Sequence, residues 1–147
     1  MTTIAINKRA RFDYELLETI EAGIELLGHE VKSVKTGHMS LQGSFVTIRG
    51  GDLILTNALI PFYVHAGDPG SYEPTRPRRL LVKRSEAKRL IGKVRTNGLT
   101  LIPLRVYTKR HLVKVEFALA KGKKEYDKRA TIKKREDTRK IARAMRT

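Results

Sequence analysis

The sequence predicts a mainly β fold: a small closed antiparallel barrel with two or three short helices and a basic C-terminal tail. Three observations carry this. From Tyr14 to Leu26, apolar side chains recur at even positions (Tyr14, Leu16, Ile20, Ala22, Ile24, Leu26), broken only by Glu18. Glu15, Thr19, Glu21 and Glu25 hold the other parity. A period of two marks a half-buried strand. "FVTIRGGDLILT" places two β-rich runs around Gly50-Gly51, a hairpin signal. "LVKVEFALA" alternates Val113, Val115, Phe117 and Leu119 with Lys114 and Glu116.

The other elements follow in order. A basic start, "NKRAR" (Asn7 to Arg11), precedes the long strand, in which Gly23 is a candidate bulge. A helix presenting Leu16, Leu17, Ile20, Ile24 and Leu27 is the competing reading there. In "HEVKSVKTGH", Val31 and Val34 are three apart and Gly37 supplies a stop, so a short helix is expected. Ser40 to Ser44 reads as a connector. His65 to Arg79 holds three prolines and two glycines and reads as a long loop with a basic exit. Ser85 is expected to cap a helix whose apolar side holds Ala87, Leu90 and Ile91, ended by Asn97-Gly98. Two final strands flank a turn at Lys109–His111, and Pro103 implies an edge or a bulge in the first. Five or six strands with so few crossovers close most naturally as a Greek-key barrel. By architectural analogy this resembles an OB fold.

The chain has 147 residues and a formal net charge of +16. Apolar residues make up 40%, enough for one modest core. From Lys121 onward, twelve Lys or Arg face four Asp or Glu, so half of the net charge sits in residues 121–147. A charge this one-sided points to a polyanion, most often nucleic acid. There is no cysteine, hence no disulfide framework or thiolate metal site. The first residues lack the apolar run of a signal peptide. The longest apolar run, Ala58 to Val64, has seven residues including Pro61, where a membrane span needs roughly 20. A soluble cytoplasmic protein with no membrane partner is expected.

Catalytic chemistry finds little support. "HEVKS" lacks the second histidine of a zinc motif, since position 33 is Ser33. His38, His65 and His111 fall in predicted turns without ligand spacing. "KGKK" lacks the upstream glycine and the Ser/Thr of a phosphate-binding loop. No serine has a histidine and carboxylate at suggestive spacing. Asp13 with Glu15, and Glu136 with Asp137, read as solvated charges. No catalytic residue, metal or cofactor is therefore expected.

Basic segments are more informative. "NKRAR", "RPRR" (Arg76 to Arg79), "KRSEAKR" (Lys83 to Arg89) and "KGKK" are spread along the chain, and a barrel would bring several to one side. Lysine and arginine neutralise phosphates and release counterions. Tyr14, Tyr63, Tyr72, Tyr107 and Tyr126 offer stacking planes for unpaired bases, one or two of them being expected to serve. In the tail, Arg135, Arg139 and Arg143 recur every four residues, with Arg146 near that stripe and Ile141 and Met145 beside it. Like charges at this spacing oppose an isolated helix by a few tenths of a kcal/mol per pair. Phosphates would reverse the sign. The tail, residues 125–147, is thus expected to be disordered free and helical on RNA, and residues 1–124 to form the barrel.

"NKRARFDY", "EAGIELLGHEVKS", "RRLLVKR" and "AKGKKEYDKR", in this order and spacing, together resemble the tmRNA-binding small protein B (SmpB) family. The resemblance runs from about Ala5 into the tail. It implies an OB-like barrel with a flexible tail and no enzymatic activity. It also implies an adaptor that binds the tRNA-like part of tmRNA and enters stalled bacterial ribosomes for trans-translation. The barrel would stand in for the missing anticodon arm, and the tail would lie in the decoding centre and empty mRNA channel. Carried over residue by residue, the tmRNA-facing surface or its support would include Asn7, Lys8, Arg9, Tyr14, Glu30, Lys32, Leu81, Lys121, Gly122, Lys123 and Lys124. Glu30 would accept hydrogen bonds from a base or ribose, or position basic neighbours; a partner for a core-edge lysine is the plainer role. The ribosome-facing tail would include Tyr126, Asp127, Lys128, Arg129, Ile132, Arg135, Arg139, Arg143 and Met145. The chain departs from the family in its short end beyond Met145 and in Asp137, where some relatives carry a bulky aromatic. The expected partners are tmRNA and ribosomal RNA, and the free protein is expected to be a monomer. A structural rRNA-binding protein and an RNA-processing enzyme are the competing readings.

Overall fold

The computed structural model describes residues 1–123 and, beyond them, Arg129, Ile132, Lys133, Arg135, Glu136 and Arg139, all six in helical conformation and exposed. Its strands are β1 (Thr2–Ile6), β2 (Tyr14–Ile24), β3 (Phe45–Arg49), β4 (Asp52–Thr56), β5 (Arg78–Leu81), β6 (Thr100–Lys109) and β7 (Leu112–Gly122). Within residues 1–123 its helices are α1 (Ala10–Asp13), α2 (Gly28–Lys35) and α3 (Arg84–Asn97), with a 3-10 turn at Val64–Ala66.

The strands form one antiparallel sheet in the order β1-β6-β7-β2-β5-β4-β3. Two expectations change here. The described residues form seven strands rather than five or six: Thr2–Ile6, not expected as a strand, pairs with β6, and Arg78–Leu81, at the basic exit of the expected loop, is a short strand bridging β2 and β4. Nor do hydrogen bonds close the sheet into the expected barrel. Its edges are β1 and β3, and among the described residues no ladder joins them. Edge strand β3 approaches β6 without pairing to it.

The expected strand from Tyr14 is present over eleven residues, which settles the helix alternative. Its bulge lies at Leu17 rather than Gly23: Leu16 pairs with Ala120 while Glu18 pairs with Leu119. One extra residue reverses the side-chain parity beyond it. Leu16 and Tyr14 consequently pack with Ala10, Ile102, Leu104, Ala118 and Ala120 in a small outer cluster. Ile20, Ala22 and Ile24 join the main core with Leu55, Leu90, Val106, Val115, Phe117 and Leu119. Each large side chain buried there contributes roughly 1.5–3 kcal/mol relative to exposure. Gly23 pairs regularly with Leu81 and Lys114. A Cβ at Gly23 would lie 3.3 Å from Leu81 Cβ, so its small size admits Leu81. Pro103 sits in an interior strand beside a second irregularity, between Pro103 and Arg105; this is the bulge its missing N–H requires.

Helix α3 buries Ala87, Leu90 and Ile91, as the spacing predicts, and ends at Gly98 in the left-handed region (φ 64°). Ser85 does not cap it. The helix begins at Arg84 after an extended Lys83, leaving Ser85 inside the first turn with no side-chain cap bond. Among the described residues no helix is long and apolar enough to cross a membrane.

Candidate nucleic-acid interface

The basic N-terminal block and the end of β7 meet at one end of the sheet. Tyr14 pairs with Gly122. The Lys123 amide donates to Asp13 O at 3.0 Å, and its Nζ donates to Arg11 O at 2.9 Å. Lys8, Arg9, Lys121 and Gly122 are exposed around this junction, and Tyr14 is half-buried against the outer cluster. Arg9 lies 4.7 Å over the Phe12 ring and 3.3 Å from Asp13. Asn7 is the clasp. Its amide donates to Leu104 O at 2.7 Å, and its Nδ2 donates to Pro103 O at 2.9 Å. It thereby reads the bulge in β6 and fixes where Lys8 and Arg9 emerge.

A second group forms at the opposite end of β2, about 30 Å away along nine strand residues. There Leu81, half exposed, pairs with Gly23, and α2 begins four residues after Ile24. Lys32 is exposed on α2. Glu30 is not: its side chain is 0% exposed. As the third helical residue it reaches back to accept the Leu27 amide at 2.8 Å, a capping contact. Arg76 donates to both carboxylate oxygens, with Nε at 3.1 Å from Oε2. Arg78 Nε donates at 2.7 Å, and the Tyr72 hydroxyl lies 2.9 Å from Oε2 and 2.8 Å from Ile60 O. Burial alone would raise the Glu30 carboxyl. The hydrogen bonds from Arg76, the Leu27 amide, Arg78 and Tyr72 outweigh it and hold the pKa down to about 2.

This corrects the direct-contact role considered for Glu30. Its oxygens are committed inside the protein, so it offers no acceptor to a base. Its partners are two arginines and a tyrosine rather than a lysine. The positioning role is the one the geometry permits. It also splits the "RPRR" patch: Arg76 is part-exposed, Arg78 is buried, and Arg79 is exposed, 3.1 Å from Glu25 and 3.8 Å from Asp52. Sequence reasoning missed Tyr72 and Arg78 as members of the site. One signal was present: Glu30 lies four residues before the buried Val34, on the inward face of α2.

Three carboxylates on the sheet, Glu18, Glu21 and Glu116, are held by cationic or hydroxyl partners, which limits their repulsion of phosphate. Glu18 accepts from Arg89 at 3.1 Å, and that hydrogen bond holds its carboxyl below the usual range against burial. Glu21 accepts from the Tyr107 hydroxyl and lies 3.6 Å from Lys109; Glu116 accepts from Arg105 at 3.3 Å.

In the tail, Arg129, Ile132, Arg135 and Arg139 are helical and exposed, Arg135 and Arg139 one turn apart. Lys124, Tyr126, Asp127, Lys128, Arg143 and Met145 lie outside the described residues, as do Lys140, Ile141 and Arg146.

A basic, mainly antiparallel β protein with cationic groups at both ends of one long strand has the features of a nucleic-acid-binding class. The comparisons define the family within it. A family model described as SmpB protein matches residues 4–147. The SsrA-binding protein of Trichormus variabilis is 51% identical over 142 residues, covering 97% of this chain and 92% of that relative. The SsrA-binding protein of Thermosipho africanus is 53% identical over 142 residues, covering 96% of this chain and 95% of that relative. A solved chain described under "tmRNA-SmpB: a journey to the center of the bacterial ribosome" is 47% identical. It superposes with a TM-score of 0.65 over 82% of this chain and 84% of that one. The chain belongs to the SmpB family.

Proposed function

We propose that this protein is a non-enzymatic, cytoplasmic RNA-binding adaptor that binds the tRNA-like part of tmRNA and delivers it to stalled ribosomes for trans-translation. Family membership across residues 4–147, with relatives that are SsrA-binding proteins, is the observation that carries the reading. The +16 charge and the exposure of Lys8, Arg9 and Lys121 support a phosphate-facing surface. The sheet serves as the OB-like body over residues 1–124. Residues 125–147 act as a separate tail that becomes helical on ribosomal RNA, with the arginine stripe toward phosphate.

Pull-down of the full chain from bacterial lysate tests the partner. Enrichment of tmRNA is expected, and recovery of ribosomal RNA without tmRNA would overturn the reading. Deletion of 130–147 is expected to leave tmRNA binding near normal and to abolish tagging on stalled ribosomes. Equal loss of both would refute the division of labour between body and tail.

A further inference from the structure

The segment after β4 runs beside α2 and leaves a groove of about 310 Å³. Phe62, Tyr63 and His65 line it from that segment, and Thr36 and His38 from the end of α2. The Tyr63 and His65 rings meet edge to face, with centroids 5.4 Å apart. His38 Nδ1 is 2.9 Å from Thr36 Oγ1, which fixes the imidazole and leaves Nε2 as its other hydrogen-bonding group. The lining is largely apolar and contains no carboxylate. Exposed Lys32 lies one turn before Thr36 on the same face of α2, about 6 Å along the axis.

We propose that this groove takes one unpaired nucleotide of the bound RNA, its base stacked on Tyr63 and His65 and its phosphate toward Lys32. Three things select that occupant. Aromatic rings beside an apolar lining suit a base, whose faces stack without regard to its identity. No carboxylate lines the groove, and Lys32 one turn away on α2 supplies a cation to match a phosphate. The volume is at the lower end for ligand sites, enough for a single base and its sugar.

The same geometry gives buried Glu30 a route to RNA. The Phe62 ring lies 4.6 Å from His29 and 5.8 Å from Tyr72, and His29 meets Tyr72 edge-on at 4.5 Å. Tyr72 is held by Glu30, Ile60 and Arg78. Ser33 donates to Pro61 O at 2.8 Å, tying α2 to the start of the segment. Glu30 is thus a positioning residue that sets the groove from behind.

This inference rests on the RNA-binding reading above, and its test separates the two. The full chain, with Tyr63 replaced by p-benzoylphenylalanine, is irradiated in complex with the transcribed tRNA-like part of tmRNA, and the crosslink is mapped by primer extension. A crosslink at an unpaired nucleotide is expected. The double variant Tyr63→Ala, His65→Ala is expected to bind about tenfold more weakly with an unchanged melting temperature, while Tyr63→Phe binds as wild type. Wild-type affinity in the double variant, or a crosslink confined to paired regions, overturns the groove alone. Failure of the unmodified chain to bind this RNA overturns both readings.

Discussion

Glu30 and Arg78 form an ion pair closed to solvent on both sides: Nη2 lies 2.6 Å from Oε2, and each side chain is 0% exposed. The guanidinium is satisfied throughout. Nε donates to Glu30, Nη1 to Ala58 O at 2.9 Å, and Nη2 to the Tyr72 hydroxyl and Pro74 O at 3.0 Å. One buried charge pair therefore pins α2, the connector after β4 and the start of β5 to one another. Such a pair is retained for the geometry it imposes rather than for net stability, since an apolar replacement of both partners is often neutral.

Removing one partner is a different matter. Glu30→Gln keeps the shape but leaves Arg78 buried without its counter-charge, which costs roughly 3–5 kcal/mol. For a chain of this size the melting temperature is expected to fall by about 10 °C. Calorimetry of the full-length variant checks this, and a shift under about 3 °C would show that the pair does not hold the connector. Below the variant's melting point RNA affinity is also expected to drop, through the displaced groove.

The same carboxylate makes the fold acid-sensitive. Its pKa is depressed in the folded state, from 4.5 to about 2. Its contribution is thus complete above pH 4.5 and is lost as pH falls toward 2. The difference is worth on the order of 3 kcal/mol. Urea midpoints measured between pH 6 and pH 2.5 should fall steeply below pH 4.5 for the wild type and less steeply for Glu30→Gln. Parallel curves would refute the assignment.

These relationships were unevenly legible in the amino-acid order. The hairpin around Gly50-Gly51 and the alternation of Val113 to Leu119 emerged directly, because local pattern and tertiary burial agree there. The bulge at Leu17 was hidden, since Gly23 is the residue type that normally marks one. The displaced parity shows only when Leu16 and Ile20 are seen to enter different clusters. Strand β5 was hidden because its sequence is half arginine. Arg78 is a core residue only by virtue of Glu30, 48 positions earlier, and no local window contains both. Charge arithmetic pointed to a polyanion, yet it counted Arg78 among the binding groups when the fold consumes it.

The β6–β7 turn offers a stabilising change. Lys109 pairs with Leu112, so the loop is Arg110-His111, and both residues have positive φ, 51° and 66°. A two-residue turn of this kind favours Asn-Gly, because a Cβ is strained in the left-handed region. Arg110→Asn with His111→Gly is expected to add about 1 kcal/mol, raising the melting temperature by a few degrees. A lower melting temperature would mean that these side chains make stabilising contacts.

Salt dependence separates the groups that touch phosphate from those that arrange them. Lys8 and Lys121 are exposed near the junction of β7 with the N-terminal block, and their side chains carry no core packing. Each phosphate contact adds close to one unit to the slope of log affinity against log salt concentration. Lys8→Ala with Lys121→Ala is therefore expected to reduce that slope by about 2 in titrations against tmRNA from 50 to 300 mM salt. The melting temperature should stay where it is. Glu30→Gln should behave in the opposite way, losing stability and affinity while keeping the wild-type slope, because it removes no cation from the RNA-facing surface. If the lysine variant leaves the slope intact, phosphate is bound elsewhere, and the cluster around Asn7 and Lys123 is a structural joint alone.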